Sequence, residues 1–131
     1  MKTKLVVEHK SRYSFDSTVE KITAEAERRD WKVPAIHDLQ QSLAKSGKVV
    51  RPVKVIEICK PQYSGQMLEL NDERIISVMM PCRISVYEKD DGKNYVSVIN
   101  AGEMASSLPA NISKVMKEAS DETFEIVKTV T

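Results

Sequence analysis

The feature that most restricts what this chain can fold into is a β-hairpin written into residues 82–100. Two alternating runs, Cys82-Arg83-Ile84-Ser85-Val86-Tyr87-Glu88 and Tyr95-Val96-Ser97-Val98-Ile99-Asn100, flank a turn at Lys89-Asp90-Asp91-Gly92. A two-residue Asp91-Gly92 loop would set Val86 against Ser97 and Tyr87 against Val96, mixing apolar and polar side chains on both faces. A three-residue type I loop, with Gly92 in the left-handed bulge position, sets Val86 against Val96, Ile84 against Val98 and Tyr87 against Tyr95. One residue of slip inverts every side chain, so the register that separates the faces is the expected one. It places Cys82 opposite Asn100 and turns it toward the core with Ile84 and Val86.

Around the hairpin the chain reads as strands and amphipathic helices in one unit. Residues 3–9 make a first strand, extended by a second short stretch, Arg12-Tyr13-Ser14-Phe15. Ser17 and Glu20 form a capping box, with Asp16 as a competing cap, for a helix ending near Asp30. Val19, Ile22 and Ala26 are its dry stripe, and Glu25 and Arg29 pair on its wet side. Residues 31–36 form an extended segment that Pro34 confines to a sheet edge. Asp38 caps a short helix that Gly47 ends. Val53–Cys59 is the strongest strand signal and belongs inside the sheet. Pro61 opens a helix carrying Tyr63, Met67 and Leu70 and ending before Asn71. Ile75–Val86 reads as one long strand bent or bulged at Pro81, with two separate strands as the alternative. Asn100 caps a short helix through Met104 that Pro109 ends. Ile112, Val115, Met116, Ala119, Thr123, Ile126, Val127 and Val130 then share one sector of a long final helix. The order implies an α+β layer with helices segregated to one face of an antiparallel sheet.

Composition sets aside several functions. The chain has 131 residues, 41% of them hydrophobic, which fits one folded domain. Lys and Arg number 20 against 19 Asp and Glu, a net charge of +1 with no basic run. Counterion release therefore gives no drive toward nucleic acid or an anionic membrane. No apolar run approaches a membrane span and the first seven residues do not make an export signal, so a cytoplasmic location is expected. Two cysteines cannot build a disulfide framework and are expected as free thiols. The four glycines are isolated, which excludes a phosphate loop.

Three motifs together carry a resemblance. Ser14-Phe15-Asp16-x-Thr18, Val55-x-Glu57-x-Cys59-Lys60-Pro61, and Met80-Pro81-Cys82-Arg83-Ile84-x-Val86-Tyr87-Glu88, with the Asp91-Gly92 turn and Asn100, resemble the small prokaryotic proteins catalogued as domain of unknown function 302. The likeness runs from about Ser11 to the last helix. It implies a β-α-β4-α order like that of the TATA-box-binding-protein fold, with a curved antiparallel sheet, often in a homodimer. It does not imply DNA binding, because fold and function separate.

The candidate site gathers around two thiols. Cys59 ends a strand and precedes Lys60 and a proline-initiated helix, a setting that favours thiolate; the alternative is a buried structural cysteine. Cys82, between Pro81 and Arg83, carries the same two readings. The two sulfurs could face one another across the sheet, with Met79, Met80 or Met104 as soft ligands for Cu(I), although no Cys-x-x-Cys pair is present. Glu57 puts a carboxylate in the most apolar strand and must be protonated or paired, with Arg83 or Lys54 as partner. His9 and His37 make no zinc pattern. The expected function is a homodimer that binds a small ligand, or handles sulfur or a soft metal, through Cys59, Lys60, Cys82, Arg83, Glu57 and Asn100. The alternatives are an interaction module with inert thiols and a thiol enzyme needing a base near Cys59. The sequence does not identify a cofactor.

Overall fold

The computed structural model describes residues 5–69 and 72–131. Five strands, β1 (Val6–Lys10), β2 (Lys32–Asp38), β3 (Val53–Cys59), β4 (Cys82–Glu88) and β5 (Asn94–Ile99), form one antiparallel sheet in the order β1-β5-β4-β3-β2. Five helices join them: α1 (Phe15–Arg28), α2 (Leu39–Ala44), α3 (Pro61–Leu68), α4 (Ala101–Met104) and α5 (Ala110–Lys128). With the short α2, α3 and α4 set aside, the order is the β-α-β4-α that the resemblance implies.

The hairpin adopts the three-residue loop. Val86 lies opposite Val96, Ile84 opposite Val98 and Tyr87 opposite Tyr95. Gly92 sits at φ +75°, where a side chain would be strained, and its amide donates to the Lys89 carbonyl at 2.9 Å. Across the sheet, Ile56, Ile84 and Val98 form one row, and with Ile58, Val86 and Val96 they pack against Ile22 and Ala26 of α1 and Ala119, Ile126 and Val127 of α5. The two long helices thus cover one face. The other face keeps half-exposed Val55, Ser85, Ser97, Tyr87 and Tyr95, the two tyrosine rings stacked at 6.4 Å. Pro34 lies in the edge strand β2, beside an irregularity in its pairing with β3.

Three expectations are corrected. The cap of α1 is Ser14, which accepts the Ser17 amide at 3.2 Å, so residues 14 and 15 belong to the helix rather than to a second strand. Ser14 wins because Thr18 follows it by one turn and donates back to the Ser14 carbonyl, while the Thr18 hydroxyl meets Ser11 at 2.6 Å in the core. The run from Ile75 to Val86 is not one strand: Asp72–Met79 is a 3-10 helix and pairing starts at Cys82. With three residues per turn, Ile76 and Met79 face a second core with Met67, Ala105, Ile112 and Met116, while Ile75 and Val78 are exposed. An unbroken apolar run does not distinguish these geometries. The first strand is observed from Val6; its expected start at residues 3 and 4, and Leu70 on α3, lie outside the described residues.

Candidate functional site

The end of β3 delivers Cys59 and Lys60 to the seam between the two cores. Pro61 occupies the first turn of α3, where its missing amide is no loss, and the chain turns back over the sheet. The Cys59 thiol donates to the Ser64 hydroxyl of α3 at 3.5 Å. Lys60 does not serve the thiol. Its ammonium reaches Glu122 on α5 at 3.0 Å, and the same carboxylate accepts the Trp31 indole N–H at 3.1 Å and the Tyr63 hydroxyl. Burial alone would raise the Glu122 carboxyl, but the bonds from Tyr63, Lys60 and Trp31 outweigh it and hold it below its ordinary value. Burial, and then Glu122 itself, push the Tyr63 phenol up to about 12.

Cys82 starts β4 directly opposite Ile58. Its side chain packs against the main core, as the hairpin register requires, and forms part of the wall of two cavities. The smaller, about 30 Å³, also touches Cys59, Lys60, Tyr63, Trp31 and Met80. The larger, about 180 Å³, lies on the other side of Cys82 and is lined by Met79, Val98, Ala101, Met104 and Ser120. Burial, followed by the proximity of Cys59, raises the Cys82 thiol to about 11, so at neutral pH it stays protonated. Ser120, on the inner side of α5, is 3% exposed and its hydroxyl has no hydrogen-bond partner among the described residues. Buried hydroxyls rarely go unpaired, because desolvation without a partner costs about 1–3 kcal/mol.

The six expected site residues divide into groups. Cys59, Lys60 and Cys82 meet at the smaller cavity, and Cys82 and Arg83 at the larger. Glu57 is elsewhere. It is paired, but with His37 at 2.6 Å rather than with Arg83 or Lys54. Arg83 stands opposite Glu57 in the register and is exposed. Lys54 sits on the helix-facing side, with its ammonium over the Phe15 ring at 5.9 Å. Asn100 caps α4 by accepting the Glu103 amide at 3.2 Å. Among the described residues no three His, Cys, Asp or Glu side chains converge to hold a metal ion, and no helix is long and apolar enough to cross a membrane. Folding also brings Lys93 beside Lys10 and Arg12 around a shallow depression.

Sequence reasoning missed Glu122, Tyr63 as its partner, and Ser120. For Ser120 a signal existed. It lies four residues after Met116 and three before Thr123, inside the apolar sector of α5, where a hydroxyl is out of place. Glu122 carries no such mark, since its three donors come from Trp31 just before β2, the β3–α3 joint and α3.

The comparisons with known proteins agree with this architecture. A crystal structure of an uncharacterized conserved DUF302 protein from Bacillus stearothermophilus superposes with a TM-score of 0.88 at 13% identity, covering 98% of this chain and 100% of that one. At that identity the likeness speaks for the fold. No curated protein matches significantly. The model of the domain of unknown function DUF302 matches residues 7–130, which is nearly the whole chain, and the protein therefore belongs to that family.

Proposed function

We propose that this protein binds a small, largely apolar molecule carrying one hydrogen-bonding group, in the cavity of about 180 Å³ beside Cys82. The observation that carries the reading is the Ser120 hydroxyl, buried and unpartnered in a wall that is mostly apolar, with Arg83 and Thr123 as its other polar members. In a mostly apolar cleft, a few placed polar groups fix the orientation of a guest. An apolar cavity of about 150 Å³ accommodates benzene, which sets the scale of the ligand. Cys82, protonated at neutral pH, forms part of the wall of this cavity. The same proton weighs against the soft-metal reading, although Met79, Met104 and Cys82 share the cavity, because a metal takes the thiolate. A homodimer belongs to the same proposal; the half-exposed sheet face opposite α1 and α5 would be its contact, and sedimentation reads it.

The test titrates the protein with benzyl alcohol and follows the methyl resonances of Val98, Ala101 and Met104. Saturable shifts are expected, weakened about 2- to 12-fold in Ser120→Ala, the worth of one hydrogen bond. They should vanish in Ala101→Leu, which fills the cavity. Shifts that never saturate, or that survive Ala101→Leu unchanged, would overturn the reading.

A further inference from the structure

We infer that Cys59 and Cys82 are a dithiol pair that closes to an intramolecular disulfide under a small hydroperoxide, making this seam an oxidation site. The register supplies the first argument. Cys82 is the cross-strand partner of Ile58, so those two Cα atoms lie about 4.5–5.5 Å apart. Cys59 is one residue further on, a rise of about 3.3 Å, which puts the two cysteine Cα atoms roughly 6 Å apart, inside the span a disulfide bridges.

Alternation along a regular strand would still point neighbouring positions to opposite faces. Cys59 escapes that rule because it is the last residue of β3. Its sulfur turns toward the helix layer, where it meets Ser64 of α3, and it lines the same small cavity as Cys82. The titration of Cys82 also responds to Cys59, as two neighbouring thiols require. The shared cavity, about 30 Å³, has room for a water-sized molecule. That suits hydrogen peroxide.

The chemistry balances in two steps. The Cys59 thiol releases its proton to solvent as its sulfur attacks one peroxide oxygen; the O–O bond breaks, and the departing hydroxide recovers that proton to leave as water, giving a sulfenic acid at Cys59. The Cys82 sulfur then attacks the Cys59 sulfur; the S–O bond breaks, and the leaving hydroxide collects the Cys82 proton as a second water. Two thiols lose two electrons and peroxide gains them. Because Cys82 starts as the protonated thiol, closure is the slow step and accelerates about tenfold per pH unit below its pKa.

The experiment treats the native protein with hydrogen peroxide, quenches with an alkylating agent and measures intact mass and the peptide map. The expected product has lost two hydrogens, takes up no alkyl group and yields one crosslinked peptide pair joining Cys59 to Cys82. Cys82→Ser should stop at a dimedone-trappable sulfenic acid on Cys59, and Cys59→Ser should oxidise at least tenfold more slowly, with far-UV circular dichroism showing both variants folded. Sulfinic acid on Cys59 without the crosslink in the unmutated protein, or only intermolecular crosslinks, would overturn the inference. Neither result bears on the ligand cavity, whose occupancy is read separately by the titration.

Discussion

Replacing Glu122 by glutamine tests whether one carboxylate ties α5 to three other parts of the fold. The side chain keeps its shape but trades an acceptor oxygen for an NH2 group. Trp31 N–H and the Lys60 ammonium can only donate, so the amide must turn its oxygen to them and its NH2 to Tyr63, whose phenol oxygen then accepts while its O–H loses its acceptor. Trp31 is 3% exposed and cannot turn to water. Leaving a buried donor unpaired costs about 1–3 kcal/mol, and losing a charge-assisted bond about 1.5–3; these overlap, so a loss of about 2–4 kcal/mol is expected. For a chain of this size that lowers Tm by roughly 8–15 °C. Urea unfolding followed by far-UV circular dichroism gives the stability, and fluorescence of Trp31, the one tryptophan, gives the local change. The pH dependence follows from linkage. The Glu122 carboxyl is held below its ordinary value of 4.5, so its contribution is complete above that pH and is lost as pH falls through the folded-state value. Glu8, Glu25 and Asp91 are lowered as well and weaken both proteins in acid, but they cancel in the difference. The gap between the two proteins should be flat from about pH 7 to 5 and shrink below about 4.5. A loss under about 0.5 kcal/mol, or a gap unchanged in acid, would refute the argument.

Two further substitutions address local geometry. Ser14→Ala should lower stability by about 1 kcal/mol while Ser17→Ala stays within about 0.5, because the Ser14 hydroxyl holds the first-turn amide; the reverse ranking in urea melts would restore Ser17 as the cap. Gly92→Ala meets no atom within 4 Å, so its whole effect is the strain of φ +75°. A loss of about 1–2 kcal/mol is expected, and a neutral outcome would mean that the loop does not need the left-handed residue.

The sequence carried this fold where a local rule and a long-range one demanded the same thing. At the hairpin, turn chemistry favoured one loop length and face segregation favoured the same register, and the pairs Val86–Val96, Ile84–Val98 and Tyr87–Tyr95 are found, while the ladder stops short of Cys82 and Asn100, the latter capping α4 instead. The stripe of α5 and the cap at Asp38 are likewise local facts that packing left standing. Errors arose where one rule had to decide alone. Ser17 and Glu20 satisfy the capping-box pattern, yet the choice was made by Thr18, whose hydroxyl finds Ser11 only once α1 docks on the sheet. Hydrophobicity at residues 75–80 fixes neither period nor burial, since Ile75 and Val78 are exposed, and the second core beneath α5 selected three residues per turn. The site follows the same division. Cys59 and Cys82 could be nominated because each carries its chemistry in its own side chain, and the hairpin register already turned Cys82 inward. Glu57 was correctly marked as needing a partner, but that partner, His37, lies 20 positions away and becomes a neighbour only through the pairing of β2 with β3. Ser120 differs again. A hydroxyl in the dry sector of a helix is visible in the sequence, but whether it is satisfied depends on what faces it, and that is settled by the gap between α5, α4 and the ends of β4 and β5. A polar residue inside an apolar stripe is thus a sequence signal whose meaning is decided by the wall around it, and the proposed ligand rests on that wall leaving the Ser120 hydroxyl unpartnered.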